Sequence, residues 1–149
     1  MVGDLKYGRT THSLLQAMSH FNPKFIFTAP DELKMPKEYK DFLEKRGIEY
    51  IETTSLNEHL DDCDILYMTR VQQERFTDPM EYERVKDVYT LNASMLGNVR
   101  ENMKILHPLP RVTEITQDVD ETPHAYYFKQ AESGLYIRMA IISYLLGYR

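Results

Sequence analysis

Cysteine is nearly missing from this sequence, with Cys63 the only one in 149 residues. A lone thiol forbids an intrachain disulfide framework and a multi-thiolate zinc site, and it favours a reducing, cytoplasmic setting. Positive charge is also in deficit. Lys and Arg number 18 against 23 Asp and Glu, a formal net charge of −5, so nucleic acid is not an expected partner and any anion site must be local. Long apolar runs are missing too. The longest, Met139 to Leu146, falls well short of the roughly 18 residues a membrane span requires, and no basic segment followed by an apolar core opens the chain. Asn92-Ala93-Ser94 fits the N-glycosylation pattern, but three residues match by chance and nothing else is secretory. The expectation is a cytoplasmic protein with no membrane partner.

Recognisable catalytic and cofactor motifs are missing as well. There is no G-x-S-x-G elbow, phosphate-loop pattern, H-E-x-x-H or Cys-His couple, and the five histidines are scattered. Gly3 and Gly8 lie between a strand and a helix, but they stand five apart with bulky Leu5, Lys6 and Tyr7 between them. That spacing is not the dinucleotide fingerprint, so neither a nicotinamide nor any other cofactor, nor a metal, is expected.

What is there is alternation. Of the residues, 42% are hydrophobic and 28% charged, without repeat, low-complexity tract or linker, which suits one domain over 1–149. A chain of about 150 residues buries roughly 68 to 70% of its unfolded surface and needs no covalent staple. Short β-branched and aromatic runs recur at Lys24 to Ala29, Gly47 to Thr53, Asp64 to Thr69, Val88 to Leu91 and Lys104 to Leu106. Helical patterns lie between them at His12 to Phe21 and Pro36 to Lys45, and Ser55, three residues ahead of Glu58, has capping-box spacing for a third. This alternation predicts a doubly wound α/β fold: a mainly parallel, Rossmann-like sheet with helices on both faces.

The two ends stand out. Met1 to Asp4 reads as the last residues of a strand entering a loop, so the sheet is expected to begin truncated. Tyr126 to Tyr148 is one long helical pattern, apolar nearly all round between Met139 and Leu146. A helix apolar on every side expects cover on every side, which predicts an exposed patch and a missing partner.

In open parallel sheets ligands sit at the carboxyl ends of strands. Three loops there run quickly into arginine: Gly3 to Thr10, which holds Arg9; Thr69 to Gln72, which holds Arg70; and His107 to Arg111. Arg presents a planar fork that matches a carboxylate or phosphate. Three such residues on one edge of an acidic chain predict an anionic ligand; the bland alternative pairs each with a nearby Asp or Glu. Thr10 or Thr11 is a candidate helix cap. Arg70 and Glu74 are spaced to pair, Gln72 is a candidate amide donor beside them, and Asp4 either orients Gln72 or Arg70 from behind or is a solvated turn residue. In the third loop, with its two prolines, Leu109 and Pro110 offer carbonyls to N–H groups or form a rigid turn.

Taken in order, D-L-K-Y-G-R-T, T-R-V-Q-x-E-R-F, H-P-L-P-R and D-V-D-x-T-P-H-A-Y-Y-F-x-Q-A closely resemble the catalytic chain of aspartate carbamoyltransferases. The resemblance covers essentially the whole chain. Pro108 and Arg111 favour the aspartate enzymes over the related ornithine ones, which typically carry Cys in place of that proline. It implies the aspartate-binding domain, with a final helix of about residues 127–147 that packs on an absent carbamoyl-phosphate domain. It also implies that Arg9 and Arg70 grip the aspartate carboxylates beside Thr10 and Gln72, and that Leu109 and Pro110 receive the carbamoyl amide and the attacking amine across a cis bond. Arg75 and Arg111 would reach toward the other domain, and Glu81 would tether its loop near Lys6 or Tyr7. The implied partners are L-aspartate, carbamoyl phosphate, the other domain, neighbouring catalytic chains in a homotrimer, and regulatory or multifunctional chains. The phosphate-binding and carbonyl-polarising groups of the family belong to the other domain, so no catalytic residue is expected in this chain alone. The competing expectation is a non-catalytic module for dicarboxylate binding or assembly; a nucleotide-binding redox domain rests on fold analogy only.

Overall fold

The computed structural model describes residues 1–73 and 76–148. Four strands and four α-helices follow in the order α1 (Arg9–Met18), β1 (Phe25–Thr28), α2 (Lys37–Lys45), β2 (Tyr50–Thr53), β3 (Ile65–Tyr67), α3 (Pro79–Val85), β4 (Lys104–Leu106) and α4 (Tyr127–Leu145). The α/β class is as expected. β1 runs parallel to β2, with Phe25 opposite Tyr50 and Thr28 opposite Thr53. β3 runs parallel to β4, with Ile65 opposite Lys104 and Tyr67 opposite Leu106. Val2 joins the two pairs, bridging Thr28 on one side and Met68 on the other. Its N–H donates to Tyr67 O at 2.9 Å, its carbonyl accepts from Thr69 at 2.9 Å, and Gly3 N–H donates to Thr28 O at 3.0 Å. Gly3 is required there. Its φ is +108° and a Cβ would stand 2.3 Å from the Thr69 carbonyl oxygen, closer than any side chain permits.

Two apolar clusters lie against these strand pairs. One gathers Leu5, Leu15, Phe25, Phe27, Leu33, Leu43 and Val85; the other gathers Val2, Leu66, Met68, Leu91, Met103, Ile105, Ile115, Val119 and Tyr127. Burying each large side chain stabilises the fold by about 1.5–3 kcal/mol relative to exposure. The α2 helix stops at Gly47, φ +67°, where the amides of Gly47 and Ile48 bond the carbonyls of Glu44 and Leu43 at 3.0 Å each, a Schellman closure.

Several expected elements differ. The first helix begins at Arg9, not His12, because Gly8 is its N-cap and the amides of Thr11 and His12 already bond the Gly8 carbonyl. Neither Thr10 nor Thr11 caps it; Thr11 Oγ1 donates to Gly8 O at 2.6 Å. No helix follows Ser55. Thr53 Oγ1 takes the Ser55 amide at 3.0 Å and donates to Glu58, so the pair expected to form a capping box is held in turns. The strand expected over Val88 to Leu91 shrinks to one bridge, Leu91 to Ile115, because Leu91 alone has a parallel neighbour. A helix not expected, α3, starts on an Asp78 side-chain cap to Met80 N–H at 2.8 Å with Pro79 behind it.

The final helix spans 19 residues, close to the expected bounds. Only its first turn is buried, through Tyr127. Leu135, Ile137, Met139, Ile141, Ile142, Tyr144 and Leu145 are each more than half exposed. Among the described residues no helix is long and apolar enough to cross a membrane.

Candidate functional site

Three loops leave the carboxyl ends of adjacent parallel strands and meet around a cavity of about 310 Å³. The loop after Val2 contributes Asp4, Arg9 and Thr10; the one after β3 contributes Thr69, Arg70 and Gln72; the one after β4 contributes His107, Leu109 and Pro110. Six residues singled out from sequence, Arg9, Thr10, Arg70, Gln72, Leu109 and Pro110, are thus brought to one place. Two of them, Arg9 and Arg70, are cationic side chains in a chain of net charge −5.

The first two loops are tied together beneath the cavity. Asp4 is fully buried; its N–H donates to Thr69 Oγ1 at 3.0 Å, and Thr69 Oγ1 donates to Val2 O at 3.1 Å. Asp4 Oδ1 accepts the Tyr7 N–H at 2.8 Å. Burial pushes the Asp4 carboxyl above its ordinary 3.8, and the backbone amides of Tyr7, Lys6 and Gln72 oppose the rise. Asp4 therefore sits behind Gln72, through main chain. His12 props the same loop from outside, with Nε2 2.8 Å from Leu5 O and its ring stacked on Tyr39 at 4.1 Å. Tyr7 meets Phe76 edge to face at 6.3 Å, which links this loop to the segment before α3.

The third arginine does not converge. Arg111 donates from Nη1 and Nη2 to Asp120 Oδ1 and Oδ2 at 2.5 and 2.6 Å, and from Nη1 to the Tyr127 hydroxyl at 2.9 Å. It is the planar fork closing on an internal carboxylate instead of a ligand, and it braces the third loop against the start of α4. That guanidinium holds Asp120 below its ordinary range, while burial and Asp120 push Tyr127 up to about 12. Glu74 and Arg75, expected respectively to pair with Arg70 and to reach outward, lie outside the described residues.

Sequence reasoning missed the pair behind the third loop. His107 is wholly buried and its Nε2 stands 2.7 Å from Glu114 Oε1. Burial pushes the Glu114 carboxyl up, but the His107 ring and the amides of Glu114 and Val112 outweigh it and leave it below its ordinary 4.5. The only signal was that both residues flank the Pro-rich loop, seven apart. The peptide bond between Leu109 and Pro110 is cis.

The profile of the family "Aspartate/ornithine carbamoyltransferase, Asp/Orn binding domain" matches residues 1–145. The chain is 65% identical over 148 residues to an aspartate carbamoyltransferase catalytic subunit of Bacteroides fragilis, covering 99% of this chain and 48% of that protein. It is 54% identical over 149 residues to one from Clostridium perfringens, again 48% of that protein. Among solved structures, the catalytic subunit of M. jannaschii aspartate transcarbamoylase superposes with TM-score 0.89 at 47% identity, covering 99% of this chain and 49% of that one. The Trypanosoma cruzi enzyme in complex with carbamoyl phosphate and aspartate gives TM-score 0.87 at 37% identity, covering 95% and 47%. The chain spans about half the length of the relatives it matches.

Proposed function

This chain belongs to the aspartate/ornithine carbamoyltransferase family through its Asp/Orn binding domain, and we propose that it forms the aspartate-binding half of an aspartate carbamoyltransferase. The observation that carries this reading is the meeting of Arg9, Thr10, Arg70, Gln72, Leu109 and Pro110, from three separate loops, around one cavity. In the proposed reaction the L-aspartate amine attacks the carbonyl carbon of carbamoyl phosphate. A C–N bond forms, the C–O bond to phosphate breaks, the amine gives up a proton, and N-carbamoyl-L-aspartate and phosphate leave, a step of pyrimidine biosynthesis.

Arg9 and Arg70 take the two carboxylates of L-aspartate, each in a fork of parallel hydrogen bonds, with Thr10 and Gln72 alongside. Leu109 and Pro110 accept N–H from the carbamoyl amide and the attacking amine. Asp4 supports the first two loops from below, and Arg111 braces the third. These groups hold a nucleophile at the right distance, a proximity effect. Phosphate binding and charge stabilisation at the carbonyl, usually the largest catalytic term, fall to a carbamoyl-phosphate domain and a neighbouring chain of a homotrimer, with regulatory or multifunctional chains around them. By itself the chain of residues 1–149 is inactive. The bare apolar length of α4 supports this division, since a second domain would cover it.

The test is a titration of the chain with L-aspartate and with the bisubstrate analogue N-phosphonacetyl-L-aspartate, before and after adding a separately made carbamoyl-phosphate domain. Binding that tightens on mixing, with turnover, is expected. Binding without turnover on mixing would favour a non-catalytic dicarboxylate-binding or assembly module.

A further inference from the structure

One wall of the cavity holds an unfavourable shape. Leu109 has φ +50°, a left-handed conformation that costs a residue with a Cβ free energy and persists only where its surroundings impose it. The imposing contact comes from two residues earlier. The Leu109 N–H donates to His107 Nδ1 at 2.8 Å. A backbone amide can only donate, so Nδ1 carries the lone pair and the ring proton lies on Nε2. Nε2 then donates to Glu114 Oε1 at 2.7 Å, and Glu114 Oε2 accepts the Val112 N–H at 3.1 Å. Glu114 is in turn rooted in the core, its carbonyl accepting the Leu91 N–H at 2.9 Å. His107 borders the cavity, yet both ring nitrogens are engaged inside the protein.

We propose that Glu114 and His107 are positioning residues for the cavity wall: Glu114 holds the ring as its Nε2–H tautomer, and the Nδ1 lone pair so fixed holds Leu109, and Pro110 after it, in place. The inference rests on reading Leu109 and Pro110 as contacts for the carbamoyl group. A carboxylate that selects an imidazole tautomer is familiar where the other nitrogen serves a metal or a nucleophile. Here the other nitrogen serves a main-chain N–H.

Two substitutions separate the roles. His107→Asn sets an amide oxygen where Nδ1 stands, the reach of an Asx turn onto the N–H two residues on, and gives up Glu114. His107→Gln reaches toward Glu114 and leaves Leu109 unheld. Affinity for N-phosphonacetyl-L-aspartate should fall about tenfold more in the Gln variant than in the Asn variant, the worth of one hydrogen bond, at similar thermal midpoints. Equal losses, or no loss in the Gln variant, overturn the proposal. A second readout needs no ligand. Ring ¹⁵N spectra of the unliganded chain should show Nε2 protonated and Nδ1 bare, and in Glu114→Gln the tautomers should mix while exchange of the Leu109 amide accelerates. A proton resident on Nδ1 in the parent chain overturns the proposal. Ring signals as expected, in a chain that binds no analogue, would instead overturn the substrate reading and leave the tautomer lock standing.

Discussion

The half of the molecule built on β1 and β2 and the half built on β3 and β4 hold their shapes by different means. In the first, two amphipathic helices lay Leu15 and Leu43 on Phe25 and Phe27, and side-chain bonds such as Asp4 to Tyr7 and Thr11 to Gly8 pin only short turns beside them. In the second, β4 leads into a long irregular stretch held by side chains: His107 and Glu114, Thr116 on the Leu91 carbonyl at 3.0 Å, Asn92 capping Ser94 at 3.1 Å, and Arg111 on Asp120. The cavity lies on the seam, taking its cations from one loop of each half. Periodic structure supplies a frame, and polar side chains supply the local backbone shapes that a frame of helices and strands cannot.

Cutting a core side chain in each half probes the seam most severely. Leu43→Ala and Ile105→Ala should each cost about 2–5 kcal/mol, and urea unfolding should remain a single transition in both because Val2 pairs with each half. Two separated transitions would break the picture of one cooperative unit. Next in size is Arg70→Ala, expected to weaken N-phosphonacetyl-L-aspartate binding about 10- to 100-fold, the loss of hydrogen bonds to a charged group. Arg111→Ala should lower the thermal midpoint more than the affinity, since its fork closes on Asp120; the opposite ranking would return Arg111 to the cavity.

The pH dependence sharpens the second half. Glu114 is held below its ordinary 4.5, so it contributes stability that is complete above that value and is lost as pH falls through the lower folded one. Acid unfolding should therefore be steeper in the parent chain than in Glu114→Gln, and equal slopes would show that the carboxylate is not the one being titrated. Smallest are two glycine changes in open space. Gly47→Ala should destabilise by about 1 kcal/mol because of its φ of +67°. Gly134→Ala, inside α4 with no neighbour within 4 Å of a Cβ, should stabilise by about 0.5–1 kcal/mol. Calorimetry of both, with signs opposed, would confirm that conformation and not space separates them.

This contrast also explains what was legible in the sequence. The Leu14, Leu15 and Met18 face and the Tyr39, Phe42 and Leu43 face repeat at helical spacing, so α1 and α2 were readable; so were the strands that pair over several residues. The element after Ser55 was not, because Thr53 offers Glu58 and the Ser55 amide a local partner that competes with the helix. The α3 helix carried a readable Asp78-Pro79 start, but too few apolar repeats to register as periodic. At the site, arginines after strand ends were visible as a pattern, and their separation into two cavity residues and one brace was not, because nothing local tells Arg111 that Asp120 will fold back onto it. The His107 and Glu114 pair depends on burial, which has no period.

The root of α4 is tied to the third cavity loop. Gln130, one turn into that helix, accepts the His107 N–H at 3.1 Å, and Tyr127 is clasped by Arg111 and Asp120. The helix is about 28 Å long at 1.5 Å per residue, so a tilt that moves its tip by about 3 Å shifts Gln130 by only about half an ångström. It is a lever with its short arm welded to the cavity loop, and whatever grips the outer turns holds the long arm.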